Sequence, residues 1–233
     1  MKKMIKIRKY IKKTRIIITE RRETLFFNSI NVFIKDPLPE NVPLNPVLRK
    51  VESIIPRHMA YNIDAVYVGD FEHLKEREIN ALYQDGALYI SNIQDDVVDL
   101  LDDIIHEISH ATEEKYGPEI YGDGLIEQEY LNKKERLYEI LKSYEYNVDY
   151  NMFMQTEYSQ EFDDLLYKEI GYEKLDFLTT GLFLNNYSVT SVREYFATGF
   201  ERYFLGNAAE LSGISPYLYQ KIDNLNNLEN QYR

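Results

Sequence analysis

Five consecutive residues, His106-Glu107-Ile108-Ser109-His110, constrain this chain more than any other part of its sequence. They form the pattern H-E-x-x-H within an apolar segment, residues 95–116. On a helix, residues four apart lie on one face, with Cβ atoms about 5–6 Å apart. Two imidazoles at this spacing can share one zinc ion at about 2.0–2.1 Å. Glu107 would then lie beside the metal, where it can accept a proton from bound water.

The residues around the pentapeptide predict a buried helix. Apolar side chains cover most of the helix circumference, which is not expected of a solvated amphipathic helix; they are Val97, Val98, Leu100, Leu101, Ile104, Ile105, Ile108 and Ala111. Two of only four histidines therefore fall in a buried setting with a carboxylate between them. Because buried polar groups need partners, a metal ion explains this set better than chance placement of two histidines does.

A catalytic zinc site has three protein ligands and one open position. No histidine follows His110, so a carboxylate must supply the third ligand. We expect Glu194 to do so, on a second strongly apolar helix that Gly206 ends as a C-cap. Glu201, two turns later on the same helix face, is the fallback. Ser191 and Glu194 also fit a capping box, but capping does not explain why the surrounding helix is so apolar.

The sequence around these residues resembles a known family. The segments HEISHATEE and NYSVTSVREYFATGFERYF, separated by a long helical insertion, are similar to the lethal-factor-like zinc peptidases. That family contains the catalytic domain of anthrax lethal factor and the Pro-Pro endopeptidases, and its members are zincin-type metallopeptidases. The resemblance covers roughly residues 45–205 and is weakest between residues 116 and 186, where no motif aligns.

The resemblance implies roles for individual residues. In the family, the ligand glutamate opens a stretch of the form E-aromatic-aromatic-A-x-x-F, which here begins at Glu194. The family also has a tyrosine seven residues before that glutamate, directed at the metal, and Tyr187 occupies this position. A phenol there could donate a hydrogen bond to a developing oxyanion. Tyrosine is abundant in this chain, with 21 in 233 residues, so an ordinary packing role for Tyr187 stays open.

The expected fold is α+β and zincin-like. A small mixed or antiparallel sheet should pack on the H-E-x-x-H helix, and a mainly helical lobe should follow. We divide the chain into a basic arm with strands (residues 1–44), a zincin subdomain ending with the active-site helix (45–116) and a helical subdomain carrying the third ligand (117–233). Gly117-Pro118 is read as a loop signal at the second boundary.

The dipeptide Asp85-Gly86 between two apolar runs predicts a β-hairpin. In zincins the last strand before the H-E-x-x-H helix is an edge that pairs with extended substrate. Here that strand would be about residues 87–91. A peptide added there as a strand would gain backbone hydrogen bonds without sequence selectivity.

The ends of the chain and its composition bound the location. The chain has no cysteine, which excludes disulfides and thiolate zinc sites. No apolar run of signal-peptide length follows Met-Lys-Lys at the start, and no segment is long enough to span a membrane. We therefore expect a cytoplasmic or particle-associated protein, or one that leaves the cell by a non-Sec route.

Charge is distributed unevenly. Residues 1–22 carry a net charge of +9, and since the whole chain carries −12, the remainder carries −21. A basic arm on an acidic body is typical of a tail that contacts an acidic partner, nucleic acid or anionic lipid. A solvated strand with lysines on its exposed face is an equal alternative. The acidic body argues against general nucleic-acid binding.

The sequence thus predicts a zinc-dependent endopeptidase. Zn²⁺ would be held by His106, His110 and Glu194, with Glu107 as general base toward a metal-activated water and Tyr187 as oxyanion donor. Four acidic residues could orient the histidines from behind: Asp99, Asp102, Asp103 and Glu113. The alternative is a non-catalytic zincin-scaffold protein of a phage or mobile-element particle. An intact Glu107 favours the enzyme, because a purely structural metal site needs no base.

Overall fold

The fold is α+β, with one five-stranded mixed sheet and a larger number of helices. The computed structural model describes residues 24–228, so the predicted basic arm, residues 1–22, lies outside the described residues. Strands β1 (Thr24–Phe26), β2 (Ile30–Ile34), β3 (Ala65–Gly69), β4 (Ala81–Gln84) and β5 (Ala87–Ser91) form the sheet. Helices α1 (Leu44–Ile54) and α2 (Glu72–Glu76) connect strands, and a 3₁₀ turn (Arg57–Ala60) follows α1.

The strand order is β1-β2-β3-β5-β4. Strands β2, β3 and β5 are parallel to each other, while β1 and β4 pair antiparallel at the two edges. The predicted hairpin is confirmed, since β4 and β5 join through Asp85 and Gly86. Their φ angles are 50° and 78°, which is the geometry that a two-residue type I′ turn requires.

The hairpin also corrects the predicted substrate-binding edge. Strand β5 (Ala87–Ser91) lies between β3 and β4, so the last strand before the H-E-x-x-H helix is an interior strand. Among the described strands, the edge on this side of the sheet is the short strand β4 (Ala81–Gln84). The prediction failed because strand order in the sheet does not follow strand order in the chain: the hairpin turns β4 to the outside of β5.

The long helix α3 (Val97–Tyr121) packs beneath the sheet and carries the H-E-x-x-H sequence. Asp96 caps its first turn by accepting hydrogen bonds from the backbone N–H groups of Val98 and Asp99. The buried sheet face and the helix share fully buried apolar side chains, among them Val66, Leu88, Ile90, Ile104 and Ile108. This burial fixes the rotation of α3 about its own axis.

The predicted loop at Gly117-Pro118 is wrong. Helix α3 continues to Tyr121, with a kink at Tyr116, whose φ and ψ are −112° and 20°. Because the kink restarts the helix, Pro118 lies in the first turn of the new segment, where a missing N–H costs little. The helix therefore runs across the boundary that the sequence placed between residues 116 and 117.

A helical region follows α3. It comprises α4 (Leu125–Ser143), α5 (Tyr150–Phe153), α6 (Gln160–Asp164) with a π-helical continuation (Leu165–Ile170), α7 (Tyr172–Thr179), a 3₁₀ turn (Tyr187–Val189), α8 (Val192–Phe204), α9 (Ala208–Ile214) and α10 (Pro216–Asn226). Gly206, with φ of 100°, ends α8 as predicted, and the N–H of Asn207 bonds back to Arg202. Within residues 24–228, no helix is long and apolar enough to cross a membrane.

Candidate metal centre

The two histidines of the H-E-x-x-H sequence face one point. Their Nε2 atoms are 3.2 Å apart, since His106 and His110 occupy consecutive turns of α3. Ligand atoms about 2.0–2.1 Å from one tetrahedral ion lie about 3.3 Å from each other. The spacing of the two nitrogen atoms therefore fits a shared metal ion.

Glu194 lies at the same point, although it comes from another helix. Its Oε2 is 3.1 Å from His106 Nε2 and its Oε1 is 3.9 Å from His110 Nε2. Oε2 is buried and accepts no hydrogen bond of good geometry from the described residues. A buried carboxylate oxygen without a donor is costly, and a cation between it and the two imidazoles would satisfy it.

The capping alternative for Glu194 holds only in part. The side chain of Ser191 caps α8 by accepting a hydrogen bond from the backbone N–H of Glu194. A full capping box would also return the glutamate side chain to the N-cap residue. Instead the Glu194 carboxylate extends toward His106, and contact with these histidines lowers its pKa even though burial acts to raise it.

The far nitrogen of each histidine meets a further carboxylate. His106 Nδ1 is 2.5 Å from Glu201 Oε1, and His110 Nδ1 is 3.5 Å from Glu113 Oε2. Burial lowers the pKa of His106, but the carboxylates of Glu194 and Glu201 outweigh burial and raise it to about 10. Metal-binding histidines usually donate this second N–H to such an acceptor, which fixes the ring orientation.

Glu107 points into the site and is held by the sheet. Its side chain is buried, and its Oε2 accepts a hydrogen bond of 2.5 Å from the backbone N–H of Tyr83 in β4. Possible ligand atoms of His106, Glu107 and His110 lie within 4.8 Å of one another. Glu107 is thus adjacent to the point that the histidines face, while a strand backbone limits its movement.

The ring of Tyr187 lies beside that of His106. Its ring centroid is 6.2 Å from that of His106, and the side chain is 46% exposed. Burial raises the pKa of Tyr187, and the charges of Glu194 and Glu107 raise it further. The phenol therefore keeps its proton at neutral pH and can act as a hydrogen-bond donor.

These residues line a cavity of about 520 Å³ between β4, α3 and α8. Strand β4 forms one wall with its free edge. Pairing alternates along an antiparallel strand, and Asn80 bonds to Ser91 on the β5 side. The backbone groups of Ala81 and Tyr83 therefore point to the free edge. The Tyr83 N–H donates to Glu107. The N–H of Ala81 and the carbonyls of Ala81 and Tyr83 are the other backbone groups of these two residues that could bind a ligand.

The four acidic residues that the sequence predicted could orient the histidines have different environments in the structure. Glu113 contacts His110 as expected. Asp103 lines the cavity, and burial raises its pKa to about 6. In the described part of the chain, Asp99 and Asp102 form no hydrogen bond or ion pair with either histidine. The carboxylate at His106 Nδ1 belongs to Glu201, which the sequence offered only as a fallback ligand. Its position seven residues after Glu194, two turns along one helix face, was the available signal.

Sequence reasoning gave no role to Arg193 or to the backbone of β4. Both line the cavity, and Arg193 directly precedes Glu194 on α8. Comparison of the chain with protein family models, curated proteins and solved structures finds no match.

Proposed function

We propose that this chain is a zinc-dependent endopeptidase with a zincin-like arrangement, as its resemblance to the lethal-factor-like peptidases suggests. One observation carries the proposal. His106, His110 and Glu194 converge on one point from two helices, and a buried Glu194 oxygen there accepts no hydrogen bond of good geometry from the described residues. Two imidazoles and one carboxylate are the donor set of catalytic rather than structural zinc sites, which leave one position open.

The proposed metal would supply Lewis acidity, lowering the pKa of water and polarising the scissile carbonyl. Glu107 accepts the proton of the attacking water and later delivers it to the leaving amine. The Tyr83 N–H keeps the Glu107 carboxylate in position for both transfers. The Tyr187 hydroxyl, which stays protonated, donates to the oxyanion as the carbonyl becomes tetrahedral.

The substrate in this proposal is a peptide in extended form along β4. The outward-facing groups of Ala81 and Tyr83 offer one N–H and two C=O groups to such a strand. Strand addition binds the peptide backbone rather than particular side chains, so it suits an endopeptidase. The cavity of about 520 Å³ gives room for side chains near the scissile bond.

The test is hydrolysis of a mixed-sequence peptide library by the zinc-loaded protein. Glu107→Gln should retain zinc, because Glu107 is not a ligand, while the rate falls by roughly 10²–10⁴, the usual scale for loss of a general base. Glu119→Gln, the same exchange at an exposed site on α3, should leave the rate unchanged.

A wild-type protein that holds zinc and cleaves no library peptide would contradict the peptidase proposal. That result would favour the non-catalytic scaffold protein instead. Equal rates for wild type and Glu107→Gln would remove Glu107 from the mechanism.

A further inference from the structure

Arg193 brings a cation into the cavity beside the metal site. It lies in the first turn of α8, next to Glu194, and its side chain is 53% exposed. It lines the same cavity as His106, His110 and Glu107. Arg193 has no role in the proposed hydrolytic mechanism.

One edge of the Arg193 side chain is fixed. Its Nε is 3.1 Å from Glu113 Oε2 and 3.1 Å from His110 Nδ1. The Arg193 Nε–H donates to His110 Nδ1, and the guanidinium charge pairs with the Glu113 carboxylate. If His110 binds metal through Nε2, its Nδ1 carries a proton, and both nitrogens then have Glu113 as their nearest carboxylate. The Oε1 of Glu113 in turn accepts a hydrogen bond of 2.5 Å from the Tyr121 hydroxyl. Arg193 is therefore held at Nε by a carboxylate that is itself anchored.

The two terminal nitrogens of Arg193 remain available. Within residues 24–228 neither Nη atom has a hydrogen-bond or ion-pair partner. A guanidinium held at Nε presents its Nη donors in a fixed plane, the geometry that suits bidentate binding of a carboxylate. An arginine whose only role was to pair with Glu113 would not need unpaired Nη donors at the wall of a cavity.

The cavity has two distinct ends. At one end lies the carboxylate of Asp103, three residues before His106 on α3. Arg193 is at the other end, beside His110 and Glu113. Since α3 rises about 1.5 Å per residue, Asp103 and His110 are about 10 Å apart along the helix. The anionic and cationic ends thus lie on opposite sides of the metal site.

We propose that Arg193 binds a carboxylate of the peptide substrate and makes the enzyme selective for acidic peptides, an inference that rests on the proposed peptidase function. The carboxylate is an aspartate or glutamate side chain, or the C-terminus of a short peptide. Arg193 Nε is 3.1 Å from the ring of His110, one of the proposed ligands, and an extended chain advances about 3.3 Å per residue. We therefore place this carboxylate within about three residues of the scissile bond. The chain's net charge of −12 repels acidic peptides at long range, and the selectivity therefore depends on the local contact.

The experiment measures binding without turnover. Zinc-loaded Glu107→Gln protein is titrated into fluorescent peptides that differ only in Glu, Gln or Lys at each of six consecutive central positions, substituted one at a time. A second set carries either a free or an amidated C-terminus. Hydrogen bonds to charged groups contribute about 1.5–3 kcal/mol, so one Glu peptide or the free C-terminus should bind roughly 10–100-fold more tightly than its neutral counterpart.

Substitutions test whether Arg193 causes the preference for a carboxylate. Arg193→Gln should abolish it while neutral peptides bind as before, and Arg193→Glu should reverse it in favour of Lys. Arg77→Gln is the matched control, because Arg77 is an exposed arginine that lines the same cavity four residues before β4. It should leave the preference intact.

Equal binding of Glu and Gln peptides at every position, together with no effect of C-terminal amidation, would overturn the inference without any substitution at Arg193. If Arg193→Gln weakens the binding of all peptides equally, the inference is also overturned, because a general loss of binding indicates that Arg193 acts by positioning Glu113. Acidic-selective binding by a protein that hydrolyses nothing would contradict the endopeptidase proposal and leave the carboxylate site in place.

Discussion

Three of the glutamates around the histidines have the same chemical group but different neighbours. Glu194 lies beside Nε2 of His106, Glu201 contacts Nδ1 of the same ring, and Glu107 accepts a hydrogen bond from a backbone N–H of β4. Position relative to the imidazole plane decides whether a carboxylate can be a ligand, an orienting acceptor or a base. These positions follow from helix rotation rather than from residue type.

The first prediction separates ligand from orienting acceptor. Glu201→Gln should weaken zinc binding by roughly 10–100-fold, the usual effect of removing the acceptor behind a metal-binding histidine. Glu194→Gln should weaken zinc binding further, because the carboxylate that would bind the ion directly is replaced by an amide, which is a poorer ligand. Competition with a zinc-binding dye measures both affinities. The reverse order would make Glu201 the ligand.

The second prediction concerns Tyr187. Its hydroxyl has no hydrogen-bond partner in the described part of the chain, so Tyr187→Phe should leave the melting temperature unchanged. The proposed contact forms mainly in the transition state, and its loss should lower kcat by about 10²–10³ with little change in KM.

Tyr130→Phe is the matched control for Tyr187→Phe. Tyr130 is fully buried and donates to the carbonyl of Val189 at 2.7 Å. Its loss should lower stability by about 0.5–1.5 kcal/mol and spare turnover. If Tyr187→Phe instead lowers the melting temperature with kcat intact, Tyr187 has only a structural role.

Among the helices and strands, turn and capping residues predicted the hairpin and the end of α8 correctly, whereas the order of strands in the sheet was predicted wrongly. The Asp85-Gly86 turn and the Gly206 cap depend on backbone conformations that few residues adopt, and both are confirmed. The edge strand was misassigned because strand order is set by contacts between distant segments. The kink at Tyr116 was missed because a proline is tolerated in the first turn of a restarted helix.

Helix α4 carries a buried lysine, which gives a pH-dependent prediction. Lys134 is fully buried, its Nζ donates to the carbonyl of Gln155 at 2.9 Å, and burial lowers its pKa from 10.5 to about 7. Between these two values the unfolded chain binds more protons than the folded one. Folding stability therefore rises with pH across this window, by at most about 1.4 kcal/mol per unit from this group.

Lys134→Met should remove that contribution. We expect the variant to be more stable than wild type at pH 7 and the gap to narrow by pH 9, as measured by urea unfolding at both values. Lys142→Met, at an exposed site on the same helix, should show a pH-independent difference. A gap between Lys134→Met and wild type that stays constant would show that Lys134 does not titrate in this range.

For the whole molecule, the candidate site joins two regions that are distant in the sequence. His106 and His110 come from the helix beneath the sheet, and Glu194 comes from α8, more than 80 residues later. The sequence predicted an α+β fold and named the residues that now lie together. It could not predict Glu201 behind His106 or Arg193 beside His110, since those contacts depend on how α8 packs against α3.

We propose that one zinc ion lies between α3 and α8. Anomalous diffraction from crystals of zinc-loaded protein, recorded above and below the zinc edge, tests this most directly. We expect a single peak about 2.0–2.2 Å from His106 Nε2, His110 Nε2 and a carboxylate oxygen of Glu194. Zinc bound elsewhere, or at the two histidines with Glu194 turned away, would contradict the account.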